Sequence, residues 1–239
     1  MTSFSINNEL KTYLKVKKPK QGRRFVIPDI HGHFDEFKAV LDKISLTKSD
    51  QLFLLGDYID RGPKVKELLD EIILLIENGY SVFPLRGNHE DMCWQAHLKD
   101  YDEETLKLPG YKWGKDIIDG ARKIFPEYVS LISQLPYYYE LDNFFIVHAG
   151  FDFSAPAPFT EYKSMLWNCN TSEDIKHLNG KTLIHGHVKR PINEIRNSIK
   201  NRTQIIALDN SVYTKNSNEY GNLLCLNLDS FELFVQKSA

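Results

Sequence analysis

Side chains that bind metals and transfer protons recur in this 239-residue sequence in five short blocks. The blocks are DIHG from Asp29, GDYIDRG from Gly56, LRGNHE from Leu85, VHAG from Val147 and HGH from His185, and each ends or follows a hydrophobic run. Carboxylate and amide oxygens mixed with imidazole nitrogens, without a thiolate, suit Mn²⁺, Fe or Zn²⁺ better than a structural cysteine-type zinc site. The sequence therefore predicts a divalent-metal centre.

The spacing inside the blocks predicts two adjacent metal positions. Asp29 and His31 are one residue apart, so both can face one cation where a strand turns into a loop. Asp57 follows the next strand, and a carboxylate can bridge two metals about 3.5 to 4 Å apart. We expect the second metal to be held by four side chains, Asp57, Asn88, His148 and His187. Water between two such cations becomes hydroxide near neutral pH, so a metal-bridging hydroxide can attack phosphorus without a side-chain nucleophile.

The same blocks predict a proton donor and a phosphate contact. Because adjacent residues point in different directions, Asn88 can bind metal, and contact the substrate phosphate, while His89 faces the substrate. Asp60 is placed to accept a hydrogen bond from His89, which would fix its tautomer and raise its pKa toward that of a useful general acid. Arg61 offers a planar fork matched to a phosphoryl group, whereas Arg86 could equally pair with a nearby carboxylate.

Hydrophobic runs before the blocks predict the strands that must position them. Strands at 24–27, 51–55 and 80–85 alternate with helices at 34–44 and 65–77, which have apolar residues at helical spacing. Such a βαβαβ order predicts a parallel sheet with right-handed crossovers, and open sheets of this kind collect ligands at the carboxyl ends of their strands.

The rest of the chain predicts a second layer and a cap. Short strands joined by loops are predicted in the C-terminal third, at 144–147, 182–184, 204–208, 223–228 and 231–235. These suit a second sheet packed on the first, within a single α/β domain that spans 1–239. Residues 91–135 are irregular, helical and rich in aromatic and charged residues, so we expect a cap-like insertion beside the site that shapes substrate choice.

Composition excludes several classes of protein. The net charge of −2 argues against a nucleic-acid surface, and no apolar stretch approaches the roughly 20 residues that span a membrane. The start of the chain lacks the charged-then-apolar profile of a signal peptide, so a cytoplasmic location is expected. Three cysteines without ligand spacing, Cys93, Cys169 and Cys225, fit reduced thiols.

In order and spacing, the five blocks resemble the signature of the phosphoprotein phosphatase family of calcineurin-like metallophosphoesterases, and most closely its bacterial branch. The likeness runs from about Phe25 to the C-terminus and includes Leu135-Pro136 and the IALDNSVY segment near Ile206. It implies a sandwich of two mixed β-sheets flanked by helices. It also implies the ligand sets given above, with His89 and Asp60 as the acid pair and Arg61 as a phosphate ligand.

One departure from the family pattern concerns the substrate side of the site. The bacterial branch carries a second phosphate-clamping arginine two residues after a tryptophan, and here Cys169 stands two residues after Trp167. Unless Arg190 or Arg196 reaches in, the phosphate loses one set of charge-assisted hydrogen bonds.

The sequence favours a phosphoesterase with two divalent metal ions, Mn²⁺ before Fe or Zn²⁺. Phosphomonoesters, including phosphoserine and phosphothreonine in proteins, are the expected substrates, and a dinucleoside tetraphosphate is the alternative. A catalytically weakened module that binds phospho-ligands is the alternative of another class, prompted by Cys169. Against it, every predicted metal ligand and both members of the acid pair are present.

Overall fold

The computed structural model describes residues 12–103, 114–169 and 175–238. Within these residues, ten strands form two five-stranded sheets that pack face to face. None of the helices there is long and apolar enough to cross a membrane.

The first sheet contains the predicted βαβαβ unit. Its central strands β2 (Arg24–Ile27), β3 (Gln51–Leu54) and β4 (Ser81–Pro84) are parallel, as predicted. Two later strands, β9 (Asn222–Asn227) and β10 (Leu233–Lys237), complete it in the order β10-β9-β2-β3-β4 and run antiparallel to their neighbours. The carboxyl ends of β2, β3 and β4 therefore meet at one edge.

The second sheet is also mixed. Its order is β1 (Tyr13–Lys15), β5 (Tyr138–Glu140), β6 (Phe144–Val147), β7 (Thr182–His185) and β8 (Ile205–Ala207). Only the β5 and β6 pair is antiparallel. The predicted second sheet is confirmed, but β1 and β5 were not predicted, because these three-residue strands do not stand in a continuous aliphatic run as the equally short β8 does.

The first two helices match their predicted bounds. Helix α1 (Phe34–Ile44) buries Phe37, Val40, Leu41 and Ile44 against the first sheet, the spacing that a helix needs to present one apolar face. Helix α2 (Val65–Glu77) is followed by Gly79 at φ 80°, a left-handed position that favours glycine and ends the helix.

Four further helices follow, α3 (Asn88–Leu98), α4 (Pro126–Ser133), α5 (Tyr162–Trp167) and α6 (Ile192–Lys200). The predicted cap, 91–135, contains most of α3 and all of α4. In its described part, buried side chains join the core beneath α1 and α2, namely Cys93, Ala96, Ile117, Ile124, Tyr128 and Ile132. Residues 104–113 of the cap lie outside the described residues, and its influence on substrate choice stays a prediction.

Successive side chains along a strand point to opposite faces of the sheet, and this alternation explains how the sheets and helices pack in layers. In β2, Phe25 and Ile27 face the helices, whereas Val26 faces the other sheet. The outer face of the second sheet is covered in turn by α5, through a cluster that joins Phe145, Phe151 and Met165. The expected sandwich of two mixed sheets flanked by helices is confirmed.

Candidate metal centre

The five polar blocks converge at the carboxyl ends of strands from both sheets. Each predicted residue lies just after a strand or at the start of the following helix: Asp29 and His31 after β2, Asp57 after β3, Asn88 and His89 at the start of α3, His148 after β6 and His187 after β7. All of these side chains except His187 are buried.

The backbone at these blocks is strained. Five non-glycine residues have positive φ: His31 (46°), Asp57 (53°), Asp60 (69°), Arg61 (70°) and His187 (63°). Such conformations cost on the order of 1 kcal/mol or more each and persist where the surrounding structure enforces them. Their concentration at one edge indicates a site whose side-chain directions are fixed by the fold.

One group of acceptor atoms surrounds Asn88. Its Oδ1 lies 2.9 Å from His148 Nε2, 3.2 Å from His187 Nδ1, and 3.1 and 3.2 Å from the two oxygens of Asp57. Hydrogen-bond acceptors that face one another are satisfied either by an inward-turned amide NH₂ or by a cation at their centre. The mixture of oxygen and imidazole donors is that of a divalent-metal site, so these four side chains fit the predicted second metal.

The imidazole tautomers agree with metal binding. His148 Nδ1 lies 2.8 Å from the carbonyl oxygen of Leu55, and His31 Nδ1 lies 2.9 Å from that of Ile59. A carbonyl only accepts, so both Nδ1 atoms carry the proton and both Nε2 lone pairs point toward the centre. A backbone carbonyl that orients a histidine in this way is the usual outer partner of a metal ligand.

A second group joins His31, Asp57 and His89, whose ligand atoms lie within 4.8 Å of one another. Asp57 belongs to both groups, the placement expected of a bridging carboxylate. Asp29 belongs to neither group of the described residues: its Oδ2 accepts a hydrogen bond from the backbone N–H of His187 at 2.7 Å. Its predicted role at the first metal therefore stays a prediction.

The predicted acid pair is in contact. His89 Nδ1 lies 2.6 Å from Asp60 Oδ2, and His89 Nε2 lies 3.8 Å from Asp57 Oδ2. Burial by itself would lower the pKa of His89, but the charge of Asp57 and the hydrogen bond and charge of Asp60 outweigh burial and raise that pKa. Nδ1 is committed to Asp60, so Nε2 is the atom that faces the centre.

Burial and charge tune the other groups of the site. Burial lowers the pKa of His31 to about 3 and that of His187 to about 4, so both rings are neutral near pH 7 and can bind metal. Burial, with the charges of Asp209 and Asp57, raises the pKa of Asp29 well above its usual value. Buried carboxylates this close together favour a cation between them.

Arg61 and Arg86 differ in their surroundings. The guanidinium of Arg61 is exposed and lies 4.2 Å from the ring centroid of Tyr213. Arg86 is fully buried. Its Nη1 donates to Asp91 Oδ1 at 3.2 Å, and its Nη2 donates to the carbonyl oxygen of Ile132 at 3.0 Å. Arg86 therefore pairs with a carboxylate, which was the predicted alternative to a phosphate contact.

Cys169 lies at the rim of the centre. Its exposed Sγ is 4.0 Å from His187 Nε2, on the side of the ring opposite Nδ1. Arg190 and Arg196 are exposed, and among the described residues neither side chain forms an ion pair. A compensating contact of either arginine with the phosphate therefore stays a prediction.

Glu90 was not among the residues predicted from the sequence. Its buried carboxylate accepts hydrogen bonds from four backbone N–H groups, those of Asp57 (2.8 Å), Tyr58 (2.8 Å), Ile59 (3.2 Å) and Gly87 (3.0 Å). The sequence does contain its signal, because a glutamate three residues after the residue that precedes a helix can cap that helix.

Several known proteins are similar to this chain in sequence. The model of the calcineurin-like phosphoesterase family matches residues 22–228. The chain is 30% identical to the symmetrical bis(5'-nucleosyl)-tetraphosphatase of Vibrio campbellii over 151 residues, 63% of this chain and 48% of that protein. It is 26% identical to serine/threonine-protein phosphatase 2 of Escherichia coli over 199 residues, 81% of this chain and 79% of that one. The chain thus spans about half the length of the Vibrio relative.

Solved structures share the fold at low identity. A protein serine/threonine phosphatase from Saccharomyces cerevisiae superimposes with a TM-score of 0.61 at 15% identity, covering 96% of this chain and 84% of that one. A metallophosphoesterase from Sphaerobacter thermophilus gives a TM-score of 0.54 at 15% identity, with 92% and 89% covered. The family match across both sheets and all five blocks is decisive: the chain belongs to the calcineurin-like phosphoesterases, which are metallophosphoesterases.

Proposed function

We propose that this protein is a dinuclear metal-dependent phosphoesterase that hydrolyses phosphomonoesters, with phosphoserine and phosphothreonine in proteins as its substrates. The position of Asp57 carries the proposal, because this carboxylate belongs to both groups of potential ligands. A relative named serine/threonine-protein phosphatase aligns with 81% of the chain and supports the substrate class.

The residues assigned to the metals fit divalent cations. His31 and Asp57, with Asp29, would hold the first cation, and Asp57 would share the second with three further side chains, Asn88, His148 and His187. Cations bound there would supply Lewis acidity toward a phosphoryl group and lower the pKa of water. We propose Mn²⁺ as the native ion, with Fe or Zn²⁺ as alternatives, since all three accept mixed oxygen and nitrogen ligands.

His89 would protonate the leaving group. The hydrogen bond to Asp60 holds Nδ1, so a proton on Nε2 can pass to the alkoxide oxygen as its bond to phosphorus breaks. The raised pKa of His89 favours the protonated ring that this transfer needs. Asp60 therefore orients and stabilises the acid without contacting the substrate.

Arg61 would bind the substrate phosphate. Its guanidinium is exposed and close enough to the centre for its charge to lower the pKa values of His31 and His187. A planar fork of donors can hold two phosphate oxygens at once. Asn88, whose amide lies at the centre, would contribute the second polar contact to the phosphate.

The test is hydrolysis by metal-stripped protein resupplied with Mn²⁺. Turnover of p-nitrophenyl phosphate and of a phosphothreonine peptide, absent with a chelator and restored by the metal, is the expected result. Inactivity on both, with the metal bound, would refute the monoesterase proposal. Metal analysis of the protein purified from its native cells tests the ion, and fractionation of those cells tests the cytoplasmic location that belongs to this proposal.

A dinucleoside tetraphosphate is the second candidate substrate. Two relatives named bis(5'-nucleosyl)-tetraphosphatase, from Vibrio campbellii and Anoxybacillus flavithermus, are 30% and 27% identical to the chain and favour it. The same groups would then cleave a phosphoanhydride. Diadenosine tetraphosphate assayed beside the peptide separates the two, because a rate ratio of orders of magnitude in either direction identifies the substrate class.

A further inference from the structure

A series of aromatic contacts connects Arg61 with the metal centre. The guanidinium carbon of Arg61 lies 4.2 Å from the ring centroid of Tyr213. The Tyr213 ring meets His31 edge-on, with centroids 5.3 Å apart and planes at 78°. His31 meets His89 in the same way at 4.9 Å and 81°. Tyr213 therefore lies between the arginine and a proposed metal ligand.

Tyr213 is the neighbour that holds the Arg61 side chain. Arg61 is exposed, and within the described part of the chain its guanidinium makes no ion pair or hydrogen bond. A long exposed side chain samples many rotamers, so a phosphate that binds it must order it. The attraction between a guanidinium and the face of an aromatic ring restricts those rotamers before the phosphate arrives.

Tyr213 is itself held in a fixed turn. The Ser211 N–H donates to Asp209 Oδ1 at 2.6 Å, and the Thr214 N–H donates to the carbonyl oxygen of Ser211 at 2.8 Å. The hydroxyl groups of Ser211 and Thr214 are 2.8 Å apart. The half-buried Tyr213 ring also packs against the core beneath the helices. Because the Tyr213 ring is held in place, its contact with Arg61 can restrict the position of the guanidinium.

We propose that Tyr213 is a positioning residue that orients Arg61 toward the substrate phosphate. The inference rests on the proposed phosphoesterase function and deepens it, because it specifies how the phosphate is held. Cys169 stands where a second arginine is expected, so the orientation of the phosphate depends on Arg61 more than it would with two arginines. The loss of the aromatic face should therefore weaken phosphate binding measurably.

A double-mutant cycle tests the proposal by direct binding. Orthophosphate affinity is measured by calorimetry on Mn²⁺-loaded wild type and on Tyr213→Phe, Tyr213→Leu, Arg61→Ala and the Tyr213→Leu/Arg61→Ala double variant. Bound metal and the thermal midpoint are recorded for each. If Tyr213→Leu fails to fold, Tyr213→Met replaces it, because methionine fills similar volume without an aromatic face.

We expect orthophosphate binding to depend on the aromatic ring of Tyr213. Tyr213→Leu should weaken orthophosphate binding about three- to tenfold and raise KM more than it lowers kcat, whereas Tyr213→Phe should stay within about twofold of wild type. In the Arg61→Ala background, Tyr213→Leu should have no further effect. Unchanged binding by Tyr213→Leu, or an equal loss with and without Arg61, would overturn the proposal.

Different results would refute the positioning role of Tyr213 and the proposed phosphoesterase function. Absence of turnover by Mn²⁺-loaded wild type would refute the phosphoesterase function, while the calorimetric cycle would still report the coupling of Tyr213 with Arg61. Normal turnover without that coupling would refute the positioning role alone.

Discussion

Glu90 holds the backbone of Asp57 through a hydrogen bond of 2.8 Å from the Asp57 N–H to Glu90 Oε2. The same carboxylate accepts from Tyr58, Ile59 and Gly87, so one buried side chain joins the loop after β3 to the start of α3. Asp57 has a φ of 53°, an unfavourable conformation that these bonds help to maintain. The geometry of the proposed bridging ligand thus depends on a residue outside the centre.

Glu90→Gln should therefore weaken metal binding and stability together. The amide can accept some of the four bonds, but its NH₂ group would face backbone N–H groups that need an acceptor. An unsatisfied buried donor costs about 1 to 3 kcal/mol. Thermal unfolding in chelator and Mn²⁺ titration by calorimetry measure the two losses. Glu127→Gln, at an exposed glutamate, is the control and should match wild type; equal behaviour of the two variants would contradict the role of Glu90.

Asp57→Asn should abolish turnover by separating the two metals. An amide offers one neutral oxygen where the carboxylate offers two charged ones, so it cannot bridge cations in the same way. Asp57 is also the acceptor shared by both groups of ligands. Metal content by mass spectrometry should fall from two ions toward one or none, with turnover below about a thousandth of wild type. Retention of both ions and of activity would contradict the bridging role.

His89→Asn should separate catalysis from metal binding. His89 Nδ1 is committed to Asp60, and the proposed role of Nε2 is proton transfer, so its loss should lower kcat about 10²- to 10⁴-fold while the metal content persists. Asp60→Asn is the matched variant, since it removes the orienting acceptor and should give a smaller loss in the same direction. If His89→Asn loses metal as completely as Asp57→Asn, His89 is a ligand, as its grouping with His31 and Asp57 also allows.

Cys169→Arg should strengthen inhibition by inorganic phosphate. Cys169 is exposed and 4.0 Å from His187 Nε2, so a longer cationic side chain at this position can reach the mouth of the centre. A charge-assisted hydrogen bond contributes about 1.5 to 3 kcal/mol, which corresponds to at least a tenfold lower inhibition constant. Cys169→Ser is the control for loss of the thiol. An unchanged inhibition constant would mean that another cation already serves the phosphate.

The fold was largely predictable because the sheets depend on strong local patterns. The strand at 24–27 and the helices at 34–44 and 65–77 have the predicted bounds, since their apolar residues follow a clear period. Helix α3 was not predicted at its start, because its first residues, Asn88, His89 and Glu90, are polar yet buried. Their burial comes from contacts with distant parts of the chain, and the local spacing of apolar residues does not indicate such contacts.

The convergence of the blocks was predictable, whereas the catalytic and metal-binding roles of their residues stay predictions. The block spacing predicted the contact of His89 with Asp60 and the convergence of Asn88, His148 and His187. The place of Tyr213 beside Arg61 was not predictable, since these residues are 152 positions apart, Arg61 in the loop after β3 and Tyr213 in the segment between β8 and β9. Contacts of this kind depend on how two sheets are packed, and a single sequence carries no local sign of them.

Asp50 should make stability depend on pH in a defined window. It accepts hydrogen bonds from Arg23 and Thr47, including an Arg23 guanidinium contact of 2.8 Å. Burial alone would raise its pKa, but these bonds outweigh burial and lower it to about 2. A depressed folded-state pKa contributes stability above the unfolded-state pKa, roughly 3.9, and that contribution is lost as the pH falls toward 2.

Asp50→Asn should therefore lower the free energy of unfolding by about 1 to 2 kcal/mol at pH 7, a value discounted for the partly exposed Arg23 partner. The deficit should stay constant down to about pH 5 and shrink between pH 4 and pH 2, because Asp50 is then protonated in the unfolded wild-type chain while it is still ionised in the folded protein. Urea unfolding of metal-free protein at pH 7, 5, 4 and 3 measures the difference between variant and wild type, which removes the contribution of the other carboxylates. Asp42→Asn, at an exposed aspartate, is the control. A deficit that stays the same from pH 7 to pH 3 would show that the side chain stabilises the fold by shape rather than by charge.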